Sequence, residues 1–197
     1  MIKKKGFLFV FSGPSGSGKT TLIRGLLKDK DIKNKLSKSV SFTTRPKRKD
    51  EKDKRDYFFI TQEKFREFLR RKKILEWTKY LDSYYATPKD FIDKHLKKGR
   101  HIVLCLDTKG ATRLRAIYPE NTVAIFILPP KTVTLKYRIR SRSKEVTEED
   151  LLMRLSLANK EIAASKLYDY RIINDDFHLA LEELKGIVIR YIGYREG

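Results

Sequence analysis

Ser12-Gly13-Pro14-Ser15-Gly16-Ser17-Gly18-Lys19-Thr20-Thr21 decides how this chain is read. The apolar run from Gly6 to Phe11 leads straight into it, and Leu22, Ile23, Leu26 and Leu27 follow at helical spacing. The pattern GxxxxGK followed by Ser or Thr therefore lies between a predicted strand and a predicted helix, the context in which it forms a phosphate loop. Glycines and small serines let the backbone curl so that successive N–H groups point inward, and the helix adds its positive end. Gly13, Pro14, Ser15, Gly16, Ser17, Gly18, Lys19, Thr20 and Thr21 are thus candidates for binding the phosphates of a nucleoside triphosphate. Lys19 is expected to reach the β- and γ-phosphates, and Thr20 to hold Mg²⁺.

Working outward, the chain alternates strands and helices. His101 to Leu106 and Val123 to Leu128 are nearly continuous apolar runs, as in parallel strands buried on both faces. The first ends at Asp107, which the pattern puts at the carboxyl end of the sheet beside the phosphate loop, where open α/β sheets bind ligands. Tyr170 to Asn174 reads as a last strand, and Asp175-Asp176 opens a final amphipathic helix. The whole predicts an α/β domain with a parallel central sheet flanked by helices.

The segment from about Val40 to Lys97 differs. Val40 to Thr44, Tyr57 to Ile60 and Ile74 to Trp77 read as short strands. Thr61 is expected to cap a helix bearing Phe65, Phe68 and Leu69, Ser83 to Thr87 to form an aromatic turn, and Thr87-Pro88 to start a helix closed by Gly99. Every residue from Lys47 to Asp56 is charged, which by default is a solvated loop. This insertion is where a second substrate is expected to bind.

At 197 residues the chain is read as one domain. The balance of 45 Lys and Arg against 25 Asp and Glu leaves a net charge of +20, yet the lysines are dispersed along the chain, so nucleic-acid binding ranks last among the functions considered. The single cysteine, Cys105, excludes an intrachain disulfide and a cysteine-built metal site, and the histidines show no ligand spacing. No window approaches 18 apolar residues, so no membrane span is expected and the cytoplasm is the simplest location.

A phosphate loop specifies a nucleotide but no reaction. Arg45 and Arg48, with Tyr57 nearby, offer a planar donor fork and a phenol suited to a phosphate monoester. Arg138, Arg142 and Arg154 lie on predicted helices flanking a polar turn and could close over a transferring phosphoryl group. No general base stands out, and none is needed if the acceptor is itself a phosphate dianion. Glu76, the only acid in Ile74-Leu75-Glu76-Trp77, is a group that can accept both N1–H and N2–H₂ of guanine.

These residues resemble the guanylate kinase family, over nearly the whole chain. The similarity is carried by Ser12 to Thr20, by Val40 to Arg45 with Arg48 and Asp56-Tyr57-Phe58, by Glu76-Trp77 with Tyr84-Tyr85, and by Asp107, Gly110, Pro129-Pro130, Arg138, Arg142, Arg154 and Asn174 to Asp176 in order. The resemblance implies a P-loop NTPase fold with an inserted, mixed α/β GMP-binding lobe and a small helical lid: a core of about 1–39, 98–138 and 168–197, a lobe of about 40–97 and a lid of about 139–167. It implies Mg²⁺-dependent transfer from ATP to GMP, with dGMP as a further acceptor. Ser41, Glu76, Thr87 and Asp107 would serve the guanine side, and Arg45, Arg48, Tyr57 and Tyr85 the GMP phosphate. Lys19, Arg45, Arg138, Arg142 and Arg154 would be catalytic, Arg138, Arg142 and Asn174 would join the ATP site, and Asp107 would support Mg²⁺ through water.

The sequence departs from the family pattern at several points. Cys105 stands where an acid is frequent, Lys109 replaces a glutamine, Ala86 a glycine and Thr87 a serine, and the charged run lacks the usual Gly-Glu turn. A kinase of a phosphorylated sugar such as ribose 1,5-bisphosphate, and a non-catalytic module that binds phosphorylated peptides, are the alternatives weighed. The first has no use for a guanine reader at Glu76, and the second typically lacks the lysine found here as Lys19.

Overall fold

The structure is a computed structural model and describes residues 6–80, 82–142 and 147–193. In chain order it begins with β1 (Leu8–Ser12), α1 (Lys19–Lys28), β2 (Leu36–Lys38), β3 (Phe42–Thr43), β4 (Phe58–Phe59) and α2 (Gln62–Arg70). There follow β5 (Ile74–Tyr80), β6 (Ser83–Pro88), α3 (Lys89–Lys97), β7 (His101–Cys105) and α4 (Thr108–Ile117). The last elements are β8 (Thr122–Leu128), α5 (Thr132–Arg142), α6 (Glu148–Ala163), a 3-10 turn (Ala164–Leu167), β9 (Tyr170–Ile173) and α7 (Phe177–Gly193).

β1 is buried along its whole length and forms the middle of a five-stranded sheet of order β2-β7-β1-β8-β9, in which every neighbouring pair is parallel. Side chains of a strand alternate between its faces, and here each face has its own core. Phe9 and Phe11 join Val103, Val123, Ile125 and Ile127 beneath α1 and α7, which contribute Leu22, Leu26, Leu184 and Val188. Leu8 and Val10 join Ile102, Leu104, Ala124 and Phe126 beneath α3 and α4, which contribute Ile92, Ala111 and Leu114. Phe9, Phe11 and Phe126 are fully buried, each stabilising the fold by about 1.5–3 kcal/mol relative to exposure. The result is a parallel sheet with helices on both faces.

The segment after β2 builds a second sheet of order β4-β3-β6-β5. β6 pairs antiparallel with both β3 and β5, while β3 and β4 run parallel. Phe65 of α2 stacks on Tyr84 at 4.5 Å, and with Ile74 and Ala86 forms a small core of its own. The register of β5 shifts between Ile74 and Trp77. Ile74, Leu75 and Glu76 are consecutively buried as a result, although a regular strand alternates its faces. α5 and α6 pack on each other through Leu135, Leu151 and Ala158.

Several expectations are corrected. Ser83 to Thr87 is part of strand β6 and not an aromatic turn, because Tyr84 and Tyr85 pair across the hairpin with Lys79 and Thr78. α3 is preceded by Pro88 without a side-chain cap; the Thr87 hydroxyl is engaged elsewhere. The polar stretch after α1 hides edge strand β2 and a fully buried Ile32. The charged run is organised in part, with Asp56 accepting the Lys52 amide at 2.8 Å and Asp53 the Phe59 amide at 3.1 Å. Thr61 caps α2 through the Lys64 amide, and Asp176 accepts the His178 and Leu179 amides at the start of α7, as the sequence suggests. The polar turn at Lys144-Glu145-Val146 lies outside the described residues.

Candidate active site

The carboxyl ends of β7, β1, β8 and β9 open on one edge of the parallel sheet. β1 runs into the glycine loop, β7 into Asp107, β8 into Pro129-Pro130 and β9 into Asn174. Convergence of these ends is what the fold contributes to the site.

The loop needs its glycines. Gly13, Gly16 and Gly18 have φ of 138°, 87° and 88°, in a region that L side chains avoid. A Cβ at Gly13 would lie 2.3 Å from the Ile127 carbonyl, and one at Gly18 would lie 2.1 Å from Asn174 Nδ2. Asn174 Nδ2 donates to the Ser17 carbonyl at 2.8 Å, which ties the loop to the end of β9. Lys19 Nζ donates to the Gly13 and Pro14 carbonyls, so its ammonium curls back over the loop. Arg138 of α5 reaches the Gly16 carbonyl through Nη1 at 3.3 Å. Gly16, Gly18, Thr21, Arg138, Asn174 and Phe177 line a cleft of about 320 Å³, together with Asp175. Thr20 and Thr21 are exposed on the first turn of α1, and Ser15 is exposed at the loop tip.

A second group of residues gathers between the two sheets. Thr87 is fully buried and Glu76 is 4% exposed, and the Thr87 hydroxyl donates to Glu76 Oε1 at 2.5 Å. Glu76 Oε2 faces α4, where a Cβ on Gly110 would come within 2.7 Å of it and within 3.2 Å of Asp107 Oδ1. Asp107 itself caps α4 by accepting the Gly110 amide at 2.7 Å. Burial pushes the Glu76 carboxyl up to about 7; the Thr87 hydrogen bond opposes this and the Asp107 charge adds to it. Ser41, half-buried, enters β3 beside this group and accepts the Phe58 amide through its carbonyl at 2.9 Å.

Arg45 occupies the outer part of the lobe. Its Nε donates to the Tyr85 hydroxyl at 3.2 Å, and its guanidinium lies 5.7 Å from the Tyr57 ring. Tyr57 and Tyr85 meet edge to face at 5.8 Å. Burial raises the Tyr57 hydroxyl well above the usual phenol range, so Tyr57 remains a donor at neutral pH. Arg48 is exposed.

α6 brings Arg154, whose Nε is buried without a hydrogen-bond partner among the described residues. The Arg142 side chain lies outside those described. Two acids went unnoticed in the sequence. Glu161 of α6 has its carboxyl raised by burial, with Lys19 pulling it down and Asp107 pushing it up. Glu51 binds Arg45. Helical periodicity marks neither, because Glu161 sits beside the apolar stripe of α6 and Glu51 within an all-charged run. Among the described residues no group of three or more His, Cys, Asp or Glu is placed to hold a metal ion.

Comparison with known proteins places the chain in a family. The family model described as guanylate kinase matches residues 5–191. Guanylate kinase of Caldanaerobacter subterraneus subsp. tengcongensis is 42% identical over 189 residues, covering 95% of this chain and 89% of the relative. That of Clostridioides difficile is 43% identical over 188 residues, again covering 95% and 89%. The crystal structure of guanylate kinase from Anaplasma phagocytophilum superposes with a TM-score of 0.79 at 29% identity, covering 100% of this chain and 90% of that one. With a phosphate loop, a buried carboxylate between two sheets and this likeness over nearly its full length, the chain belongs to the guanylate kinase family.

Proposed function

We propose that the chain transfers the γ-phosphoryl group of ATP to GMP, giving ADP and GDP. The observation that carries the acceptor's identity is the buried Glu76–Thr87 pair beside Asp107. A carboxylate oriented in this way offers acceptors to guanine N1–H and N2–H₂, whereas adenine presents no such donor pair. Ser41 and Asp107 complete the guanine side.

ATP would lie in the cleft at the phosphate loop, its phosphates in the cage of loop amides, with Lys19 toward the β- and γ-phosphates and Asn174 near the base. Arg45, Arg48, Tyr57 and Tyr85 would grip the acceptor phosphate. An ionised oxygen of GMP attacks the γ-phosphorus as the bond to the bridging oxygen of ADP breaks, so alignment and charge neutralisation do the work. Arg138, Arg142 and Arg154 would neutralise charge on the transferring group. Thr20, an exposed hydroxyl at the start of α1, and Asp107 acting through water supply the oxygen chemistry that Mg²⁺ prefers, and the ion would neutralise the β- and γ-phosphate oxygens. The second-sheet lobe, about 40–97, and the helical lid, about 139–167, would close on the core around both substrates. The reading places the protein in the cytoplasm with its two soluble substrates; among the described residues no helix is long and apolar enough to cross a membrane.

The test is ADP release from ATP and Mg²⁺ against GMP, dGMP, AMP, UMP, CMP and ribose 1,5-bisphosphate. Turnover confined to GMP and dGMP is expected. Turnover with the sugar phosphate alone would discard the role given to Glu76, and silence across the panel would discard catalysis.

A further inference from the structure

Arg45 has five N–H donors in a fixed fork, and most of them are already committed. Besides the bond from Nε to Tyr85, Nη1 donates to the Pro46 carbonyl at 2.6 Å, and Nη2 donates to both oxygens of Glu51 at 2.7 and 2.8 Å. The same carboxylate accepts the Arg48 amide at 2.9 Å, and the Glu51 amide returns to the Arg48 carbonyl at 3.1 Å. One acid thus ties both arginines of the proposed phosphate grip into a single loop.

This is not a solvated surface pair. The side chains of Arg45 and Glu51 are 15% and 17% exposed, and the guanidinium is walled by the Tyr57 and Phe59 rings. Burial pushes the Glu51 carboxyl up, but the Arg45 hydrogen bonds and the Arg48 amide outweigh it and hold the acid below its ordinary range. Asp53 and Asp56, in the same charged run, turn instead to the Phe59 and Lys52 amides.

We propose that Glu51 is a positioning residue for the acceptor phosphate, fixing the plane of Arg45 and the backbone of Arg48 before GMP arrives. The second Nη1 donor, the Arg48 side chain and the two phenols then meet the phosphate dianion already arranged, so ordering them costs nothing at the moment of binding. Glu51 touches no substrate in this scheme and acts through Arg45. The inference depends on GMP being the acceptor.

The experiment compares Glu51→Gln, Glu51→Asp and Glu51→Ala in the full chain, using GMP and ATP kinetics and calorimetric binding of GMP and guanosine. Removing a charge-assisted pair is expected to raise the KM for GMP by about tenfold or more in the Gln and Ala variants, with kcat within about threefold. The KM for ATP and the guanosine affinity should hold, and Asp should recover part of the loss. Glu51→Gln keeps the side-chain volume, so a folded variant is available even if Glu51→Ala unfolds. A KM for GMP that stays constant or falls in folded Glu51→Gln overturns the proposal, a fall meaning that the carboxylate competes with the substrate. Normal GMP phosphorylation by the unaltered protein with no such shift sinks this inference alone; absence of GMP binding by the unaltered protein sinks the proposed function and this inference together.

Discussion

Thr87 and Glu76, on adjacent antiparallel strands, are joined by a hydrogen bond of 2.5 Å inside a region closed to solvent. The bond occupies one lone pair of Oε1 and leaves Oε2 directed at the Gly110 backbone. In Glu76→Gln an amide takes the place of a two-oxygen acceptor, and its N–H₂ would oppose the guanine donors. The expected result is a loss of about 10²-fold or more in kcat/KM for GMP, with little change for AMP. A substrate panel measures it, and an unchanged GMP-to-AMP ratio would remove Glu76 from the base site.

The same carboxyl makes GMP use pH-dependent. It is pushed up to about 7, chiefly by burial, so below that pH the free protein carries a neutral acid with one acceptor fewer. The KM for GMP should therefore rise by up to about tenfold for each pH unit below 7, while the KM for ATP does not follow. Stability moves the opposite way. Between about 4.5 and 7 the folded chain holds a proton that the unfolded chain has released, so this group's contribution to stability declines as pH rises through that window. Glu76→Gln should flatten both profiles, as measured by kinetics and by thermal unfolding across pH.

At the phosphate loop, charge and shape can be separated. Lys19→Ala removes an ammonium held over the loop by two carbonyls, and is expected to lower kcat by about 10³-fold with the fold intact. Asn174→Ala instead leaves the buried Ser17 carbonyl without its donor. It should cost about 1–3 kcal/mol of stability and raise the KM for ATP, because the loop loses its tie to β9. Near-normal turnover in Lys19→Ala would withdraw its catalytic role, and an unshifted unfolding midpoint in Asn174→Ala would withdraw the tie.

What the sequence made legible follows from how local each signal is. The apolar runs of β1, β7 and β8 and the glycine loop are contiguous, so sheet, loop and Asp107 could all be anticipated. β2 was hidden because an edge strand needs apolar residues on few positions, and only Leu36 is buried in it. The strand character of Ser83 to Pro88 depends on partners in β3 and β5, and Tyr-Tyr beside a proline looks equally like a turn. Glu76 could be suspected as an acid among apolar residues. That a register shift in β5 turns it toward α4 could not, because the shift arises from pairing. Glu51 finds Arg45 and Arg48 within its own loop, but which of ten consecutive charges pair is decided by how that loop folds; Glu161 meets the charges of Lys19 and Asp107 only through long-range folding.

Cys105 offers a direct probe of the cleft, because it is the single cysteine of the chain, is exposed, and ends β7 two residues before Asp107. It pairs with Phe11 at the carboxyl edge of the parallel sheet, from which the glycine loop and Asp107 also leave. A bulky maleimide attached there should project into the space where GMP is expected to lie. Labelling is predicted to lower GMP phosphorylation by more than about tenfold, following the general rule that exposed thiols react and buried ones do not. GMP should slow the labelling more than ATP does, and Cys105→Ser should resist the reagent while keeping nearly full activity. Mass spectrometry gives the extent of modification against residual rate. Full labelling with full activity would mean that the carboxyl end of β7 faces away from the acceptor, and the assignment of Asp107 to the guanine side would fall with it.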